Sequence, residues 1–215
     1  MITRLWNNKF FDNDLLSLLK SQGYSLIAGV DEAGRGALAG PVFASAVIFP
    51  VNFSYKDIKD SKLLTPSKRK KLFNFIVRIA VDFSIQKVDV EEINRIGIFK
   101  ATLKAMKKAL ESLSITPDIA LIDGPFLIPE YLHPQRAVVK GDRLVPAISA
   151  ASILAKVMRD EYMCSISKHY PEYEFHRHKG YGTKLHLSLI NQHGACNQHR
   201  IYYKCFRKKE DEKIF

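Results

Sequence analysis

The stretch SLIAGVDEAGRGALAGPVFASAVIF, residues 25–49, decides how the rest of the chain is read. It holds two apolar runs, SLIAGV (25–30) and VFASAVIF (42–49), each bounded by turn residues as strands are. The link between them is short. A parallel crossover needs a dozen or more residues, so the two runs are predicted to pair as an antiparallel hairpin. The first run ends on two consecutive acids, Asp31 and Glu32, and the link carries Gly34, Arg35, Gly36 and Gly40. Successive strand residues point to opposite faces, so a regular strand does not aim both acids at one cation. A bend at Gly29 and Gly34 is the expected way to bring them together.

Outward from the hairpin, residues 12–22 read as a short amphipathic helix with Leu15, Leu16, Leu18 and Leu19 on its apolar side. Thr65-Pro66 is a helix start, a capping hydroxyl followed by proline at the first helical position, and that helix is predicted to run to about residue 80. VDFSIQKV (81–88) alternates as a strand does. Residues 98–113 place Ile98, Leu103, Met106 and Leu110 at helical spacing. DIALID (118–123) is a nearly all-apolar strand that ends on an acid and is stopped by Gly124-Pro125. RAVVK (136–140) is a further strand, Pro146 to about Met163 a helix, and 184–193 a last short helix before the charged tail RKKEDEKIF. This order predicts an α/β fold, a mixed sheet with helices packed on it. The region after about residue 165 is expected to be a helical annex, making 1–215 one domain with a core over about 1–165.

Lys and Arg number 33 against 22 Asp and Glu, a formal charge of +11. That excess suits an anionic partner, nucleic acid first and a membrane surface second. No window holds eighteen uninterrupted apolar residues, so no membrane span is expected. The N-terminus has neither the apolar core nor the cleavage site of a signal peptide. Cys164, Cys196 and Cys205 form no CxxC pair and read as reduced thiols of a cytoplasmic protein. Nothing requires more than a monomer.

Acids stand where an apolar strand or short loop ends: Asp31 with Glu32, Asp123, and Asp142 in KGDRLVP. Strand ends are where ligand sites gather in α/β sheets. Taken singly, Asp31 and Asp123 could simply terminate strands and Asp142 could cap the turn before a helix. Converging acids repel unless a cation neutralises them, and Mg²⁺-like ions take oxygen ligands. Two such ions can activate a water and stabilise the leaving oxygen of a phosphodiester. Glycines beside the acids let a ligand approach the backbone, and Arg35 can fork onto a phosphate. Residues 56–78 hold eight basic residues against Asp57 and Asp60, either a solvated helix face or a track for phosphates. The spacing His193-x2-Cys196-x2-His199 lacks the two tight ligand pairs of structural zinc; the histidines between 176 and 199 are expected along a nucleic-acid-facing surface or merely scattered.

Several motifs together resemble the ribonuclease HII family, the bacterial type 2 ribonucleases H: GVDEAGRGALAGPV (29–42), KDSKLLTPSKR (59–69), LIDG (121–124), KGDRLVPAISAASILAKVMRD (140–160) and HKGYGTKLH (178–186), in the family's order. The resemblance implies a ribonuclease H-like fold with a C-terminal helical segment. It implies an endonuclease that cuts the RNA strand of RNA–DNA hybrids and nicks duplex DNA 5′ of an embedded ribonucleotide, with Mg²⁺ or Mn²⁺, leaving 3′-hydroxyl and 5′-phosphate ends. The family's four acids fall on Asp31, Glu32, Asp123 and Asp142. Gly34, Arg35 and Gly36 correspond to the element that contacts the 2′-hydroxyl, Tyr181 to a tyrosine stacked near the RNA–DNA junction, and Ser61 and Lys62 to a segment that holds a substrate phosphate. Asp160, equally part of the motif, sits mid-helix and is taken as structural or as a support standing behind the metal-binding acids. The glycine–arginine–glycine speaks against the type 3 enzymes. A non-catalytic hybrid-binding protein, or another two-metal nuclease on the same fold, remain the competing readings. The C-terminal GACNQHRIYYKCF keeps His199, Arg200 and Phe206 without the family's prolines, which puts the packing of this end in question.

Overall fold

The computed structural model describes residues 11–51, 53, 65–203 and 206. Ser61 and Lys62 lie outside the described residues, as does the charged tail from residue 207 onward. Among the described residues, five strands form one sheet: β1 (Leu26–Ala33), β2 (Val42–Pro50), β3 (Asp82–Val88), β4 (Ile119–Asp123) and β5 (Gln135–Val138). Their spatial order is β3-β2-β1-β4-β5. The β1–β2 and β2–β3 pairs are antiparallel, whereas β1–β4 and β4–β5 are parallel. The mixed sheet and the hairpin expected from residues 25–49 are therefore present.

The central strands read as continuous apolar runs because both of their faces are covered. Alternate side chains feed two separate cores. Ile27, Val47, Phe49 and Leu121 join Leu15, Ile76, Ile148 and Leu154 in one layer. Ala28, Val30, Ala46, Ile48 and Ile122 join Ala101, Ala105 and Met106 in the other. The first layer is closed by α1 (Phe11–Ser21), α2 (Pro66–Ile79) and the long α6 (Pro146–Ile166), and the second by α4 (Ile98–Glu111). Two short helices, α3 (Val90–Ile96) and α5 (Gly141–Leu144), were not expected from periodicity; seven and four residues are too few to show a helical repeat.

Helix α6 begins with proline and lies very close to the sheet. A Cβ at Gly29 would stand 2.1 Å from the Ala147 carbonyl carbon. Gly29 therefore serves the close approach of α6, and the expected bend is not its role. The β1–β2 register runs unbroken from Leu26↔Pro50 to Ala33↔Phe43. At α2 the predicted cap is in place, with Thr65 Oγ1 accepting from the Lys68 amide at 3.3 Å. Thr65→Ala is expected to cost about 1 kcal/mol, a fall of about 2–4 °C in melting temperature for a chain of this size.

After α6, a 3₁₀ turn (Pro171–Tyr173), α7 (Phe175–His178) and α8 (Lys184–His193) make the expected helical annex. Its centre corrects the reading of the histidines. His178, His186 and His199 are buried among Tyr173 and Phe175 rather than arrayed on a surface. Among the described residues, no helix is long and apolar enough to cross a membrane.

Candidate active site

Parallel pairing brings two of the acids together. Val30 lies opposite Ile122, so Asp31 and Asp123 each stand one residue beyond the last paired position, at the C-terminal ends of adjacent strands. That is the position where open α/β sheets bind ligands. Asp31, Glu32 and Asp123 each place an oxygen so that all three lie within 4.8 Å of one another. Among the described residues the β1–β4 pairing ends at Val30, and just beyond it the Glu32 carboxylate joins those of Asp31 and Asp123. Asp142 sits in the first turn of α5, 5% exposed, and its amide donates to Asp123 Oδ1 at 3.3 Å. Its carbonyl accepts from the Ser149 hydroxyl. Asp142 borders the trio but is not one of the three converging carboxylates.

Burial pushes the Asp31 carboxyl well above the usual carboxylate range, and the charges of Glu32 and Asp123 push it further. A Ser152 hydrogen bond and the Glu32 amide, which donates to Asp31 Oδ1 at 2.7 Å, oppose this only in part. Glu32 is likewise raised, first by burial; Arg35, 3.8 Å away, pulls the other way. Directly across β2 from Asp31, the buried Ser45 hydroxyl has no hydrogen-bond partner. Three oxygens crowded together, raised acids and an orphaned hydroxyl form a donor set suited to a hard divalent cation.

Beside the acids, and sharing Glu32 with them, lies a cleft of about 310 Å³ lined by Glu32, Ala33, Gly34, Arg35, Gly36, Arg69, Ser152, Lys156 and Tyr181. Gly34 has φ +95°, and a Cβ there would meet Arg159 Nε at 1.9 Å. Nothing lies within 4 Å of a Cβ built on Gly36, so the backbone there is open to a ligand. Two buried arginines hold the loop. Arg159 donates to the carbonyls of Pro41, Ala39 and Lys179 at 3.0–3.1 Å. Arg200 donates to those of Gly40, Arg35 and Ala37 at 2.8–3.1 Å. Residues 178–183 return against the same loop, with the Leu38 amide donating to the Gly180 carbonyl at 2.8 Å and Ala37 bridging Tyr181.

Of the residues singled out from sequence, Glu32, Gly34, Arg35, Gly36 and Tyr181 line this cleft, and Asp31 and Asp123 converge with Glu32 beside it. Asp160, mid-helix in α6, pairs with Lys156 at 2.7 Å and with Arg69 at 3.8 Å. Sequence reading had not singled out Arg69, Ser152 or Lys156 as cleft residues. Arg69 lay inside the noted basic segment, and Lys156–Asp160 has the i,i+4 spacing of a helical ion pair. Lys156 Nζ and Arg159 Cζ stand 5.2 and 5.1 Å from the centre of the Tyr181 ring. Among the described residues, the histidines make no ligand cluster, and the zinc spacing has no counterpart.

A family model described as ribonuclease HII matches residues 28–206 of this chain. The ribonuclease HII of Caldicellulosiruptor bescii is 50% identical over 185 residues, covering 86% of this chain and 89% of the relative. That of Coxiella burnetii is 48% identical over 196 residues, covering 91% and 95%. Among solved structures, the ribonuclease H2 from Pyrococcus horikoshii superposes with a TM-score of 0.70 at 28% identity, covering 87% of this chain and 98% of that one.

Proposed function

The chain belongs to the ribonuclease HII family, whose model spans residues 28–206, and on that premise we propose that it nicks duplex DNA on the 5′ side of an embedded ribonucleotide as well as cutting the RNA strand of hybrids. It is a metal-dependent endonuclease with ribonuclease H activity. The observation that carries the finer reading is that Glu32 belongs both to the acid cluster and to the lining of the glycine–arginine–glycine cleft.

Asp31, Glu32 and Asp123, with Asp142 at their edge, would hold a pair of divalent ions, Mg²⁺ or Mn²⁺. When bound, such ions supply Lewis-acid charge for hydrolysis of a phosphodiester, leaving a 3′-hydroxyl and a 5′-phosphate. The chain's own residues do the selecting. The 2′-hydroxyl is the one group that tells a ribonucleotide from its neighbours in DNA. The Arg35 carbonyl is already held by Arg200 and by the Tyr203 hydroxyl at 3.2 Å, which favours recognition by the amide side of the Gly34–Gly36 turn. Arg35, half exposed, can reach a phosphate, and Tyr181 offers a ring face to the sugar or base beyond the junction. Arg69 and Lys156 add positive charge on the same wall. Ser61 and Lys62 are proposed to hold a further phosphate.

The test is a labelled DNA duplex with one ribonucleotide, incubated with Mg²⁺ or Mn²⁺ beside an all-DNA duplex. The expected product is a single nick 5′ of the ribonucleotide, abolished by EDTA. Binding without cleavage would establish a non-catalytic hybrid-binding protein instead. Cleavage of both duplexes would establish a nuclease that ignores the 2′-hydroxyl.

A further inference from the structure

The three buried histidines of the annex form a ladder whose proton positions are fixed at each end by the backbone. His186 Nδ1 lies 3.0 Å from the Tyr181 carbonyl oxygen, which can only accept, so Nδ1 carries the proton. Neutral His186 then has an accepting Nε2, facing His199 Nε2 at 3.1 Å, so His199 must donate there. That leaves His199 Nδ1 as acceptor, and it meets the Cys196 amide at 2.9 Å. His178 obeys the same logic. Its Nε2 donates to the Tyr173 carbonyl at 2.8 Å and its Nδ1 accepts from the Gly180 amide at 3.1 Å. The His178 and His186 rings stack with centroids 4.1 Å apart. Every ring nitrogen is matched in the neutral form, and an added proton on any ring would face another donor.

We propose that His178, His186 and His199 are positioning residues for the cleavage reaction, holding the Gly180–Tyr181 turn so that the Tyr181 ring is presented to substrate across the cleft from Arg35, and releasing it when the ladder is protonated. The proposal rests on the substrate role given to Tyr181 above. Its reach follows from connectivity. His199 is followed by Arg200, which clamps the glycine-rich loop, and bridges Ala39, while Gly180 accepts from that loop's Leu38. Burial first, then neighbouring histidine charge, brings His186 down to about 4; burial brings His199 to about 4 as well. His178 is lowered by burial too, among His176, Lys179 and Glu174, of which Glu174 and the Tyr173 carbonyl act in the opposite sense. Cys196 and Tyr173 are the remaining titratable neighbours. The unfolded histidines take up protons near 6.5, and the folded His186 and His199 only near 4. The ladder's contribution is therefore complete above 6.5 and is lost as pH falls from 6.5 toward 4.

The experiment is a double-mutant cycle on the ribonucleotide duplex. Tyr181→Ala and His186→Phe are each expected to lower kcat/KM about tenfold, the size of one lost stacking contact, and the double variant is expected to fall no further. His186→Asn, whose amide can still donate to the Tyr181 carbonyl, should recover most of the loss. The ratio of wild type to Tyr181→Ala, in which the titration of the acids cancels, should decline from about ten toward one between pH 6.5 and 4. Effects that multiply in the double variant, or a ratio flat with pH, would overturn the proposal. Imidazole nitrogen NMR at neutral pH tests the ladder without any activity. Protons on His186 Nδ1, His199 Nε2 and His178 Nε2 are expected, and any other tautomer overturns it. A wild-type enzyme that cuts nothing, with the tautomers as expected, would refute the substrate reading alone.

Discussion

Asp31→Asn is expected to melt at a higher temperature than the wild-type chain in the absence of divalent ions, and to cleave at less than about one hundredth of its rate. Both outcomes follow from one carboxyl group. Asp31 is 4% exposed and shares its corner with Glu32 and Asp123. Its folded pKa is raised, so its contribution to stability is fully present below the unfolded value of 3.8 and is lost as pH climbs through the raised value. At neutral pH the metal-free fold carries that penalty. Asparagine has the same shape, can keep the Glu32 amide as donor to its oxygen, and removes the charge. Each kcal/mol relieved is worth roughly 2–4 °C in a chain of this size. Loss of a residue one layer further from a metal typically costs 10–100-fold, and Asp31 belongs to the converging oxygens themselves. Mg²⁺ or Mn²⁺ is expected to raise the wild-type melting temperature and to leave that of Asp31→Asn nearly unmoved. Calorimetric scans with and without the ion, beside single-turnover cleavage, check both. A variant that melts lower than wild type without metal, yet cuts normally, would remove Asp31 from the site.

What could be read in the chain was what is local. The strands at 25–49 and 118–123 announce themselves by unbroken apolar runs, because a strand covered on both faces has nowhere to put polar side chains. Thr65-Pro66 and Pro146 mark helix starts through chemistry confined to one turn. The acids were legible as strand ends, and the family motifs named them. Their convergence was not legible: it depends on the parallel register Val30↔Ile122, which joins segments about ninety residues apart and leaves no periodic trace. The histidines misled because a polar side chain reads as exposed. Their burial requires carbonyls and amides supplied by Tyr173, Gly180, Tyr181 and Cys196, and only the folded backbone brings those within reach. Of the C-terminal stretch questioned for its missing prolines, the described residues Arg200 and Phe206 are nonetheless held. Arg200 is fully buried on three carbonyls, and Phe206 packs 5.4 Å from His199.

Arg159→Met is expected to cost about 3–5 kcal/mol, within what three buried carbonyls left without donors imply, and to lower the melting temperature by about 10 °C. In sequence, Arg159 looks like one more charge on the KVMRD helix; in the fold it is among the largest fully buried side chains. No carboxylate lies within ion-pair distance of its guanidinium among the described residues. All three nitrogens instead donate to main-chain oxygens of Pro41, Lys179 and Ala39. Burial, with Arg200 as the main like charge, brings its pKa down to about 10, and Tyr181 and Asp160 oppose that fall. The group stays charged at neutral pH, and its bonds to carbonyls are of the stronger, charge-assisted kind. Methionine fills the volume but leaves three carbonyls unpaired, each costing about 1–3 kcal/mol where water cannot enter. Lysine keeps the charge and lacks the planar fork, so Arg159→Lys is expected to recover less than half of the loss. Functionally, the Gly34 turn packs on Arg159, which also ties residues 39–41 to Lys179 beside Tyr181. Cleavage should therefore suffer mainly in KM for the ribonucleotide duplex, with the acid cluster intact and the cation still raising the melting temperature. Equal losses in the metal response and in KM would instead place Arg159 among the supports of the acids.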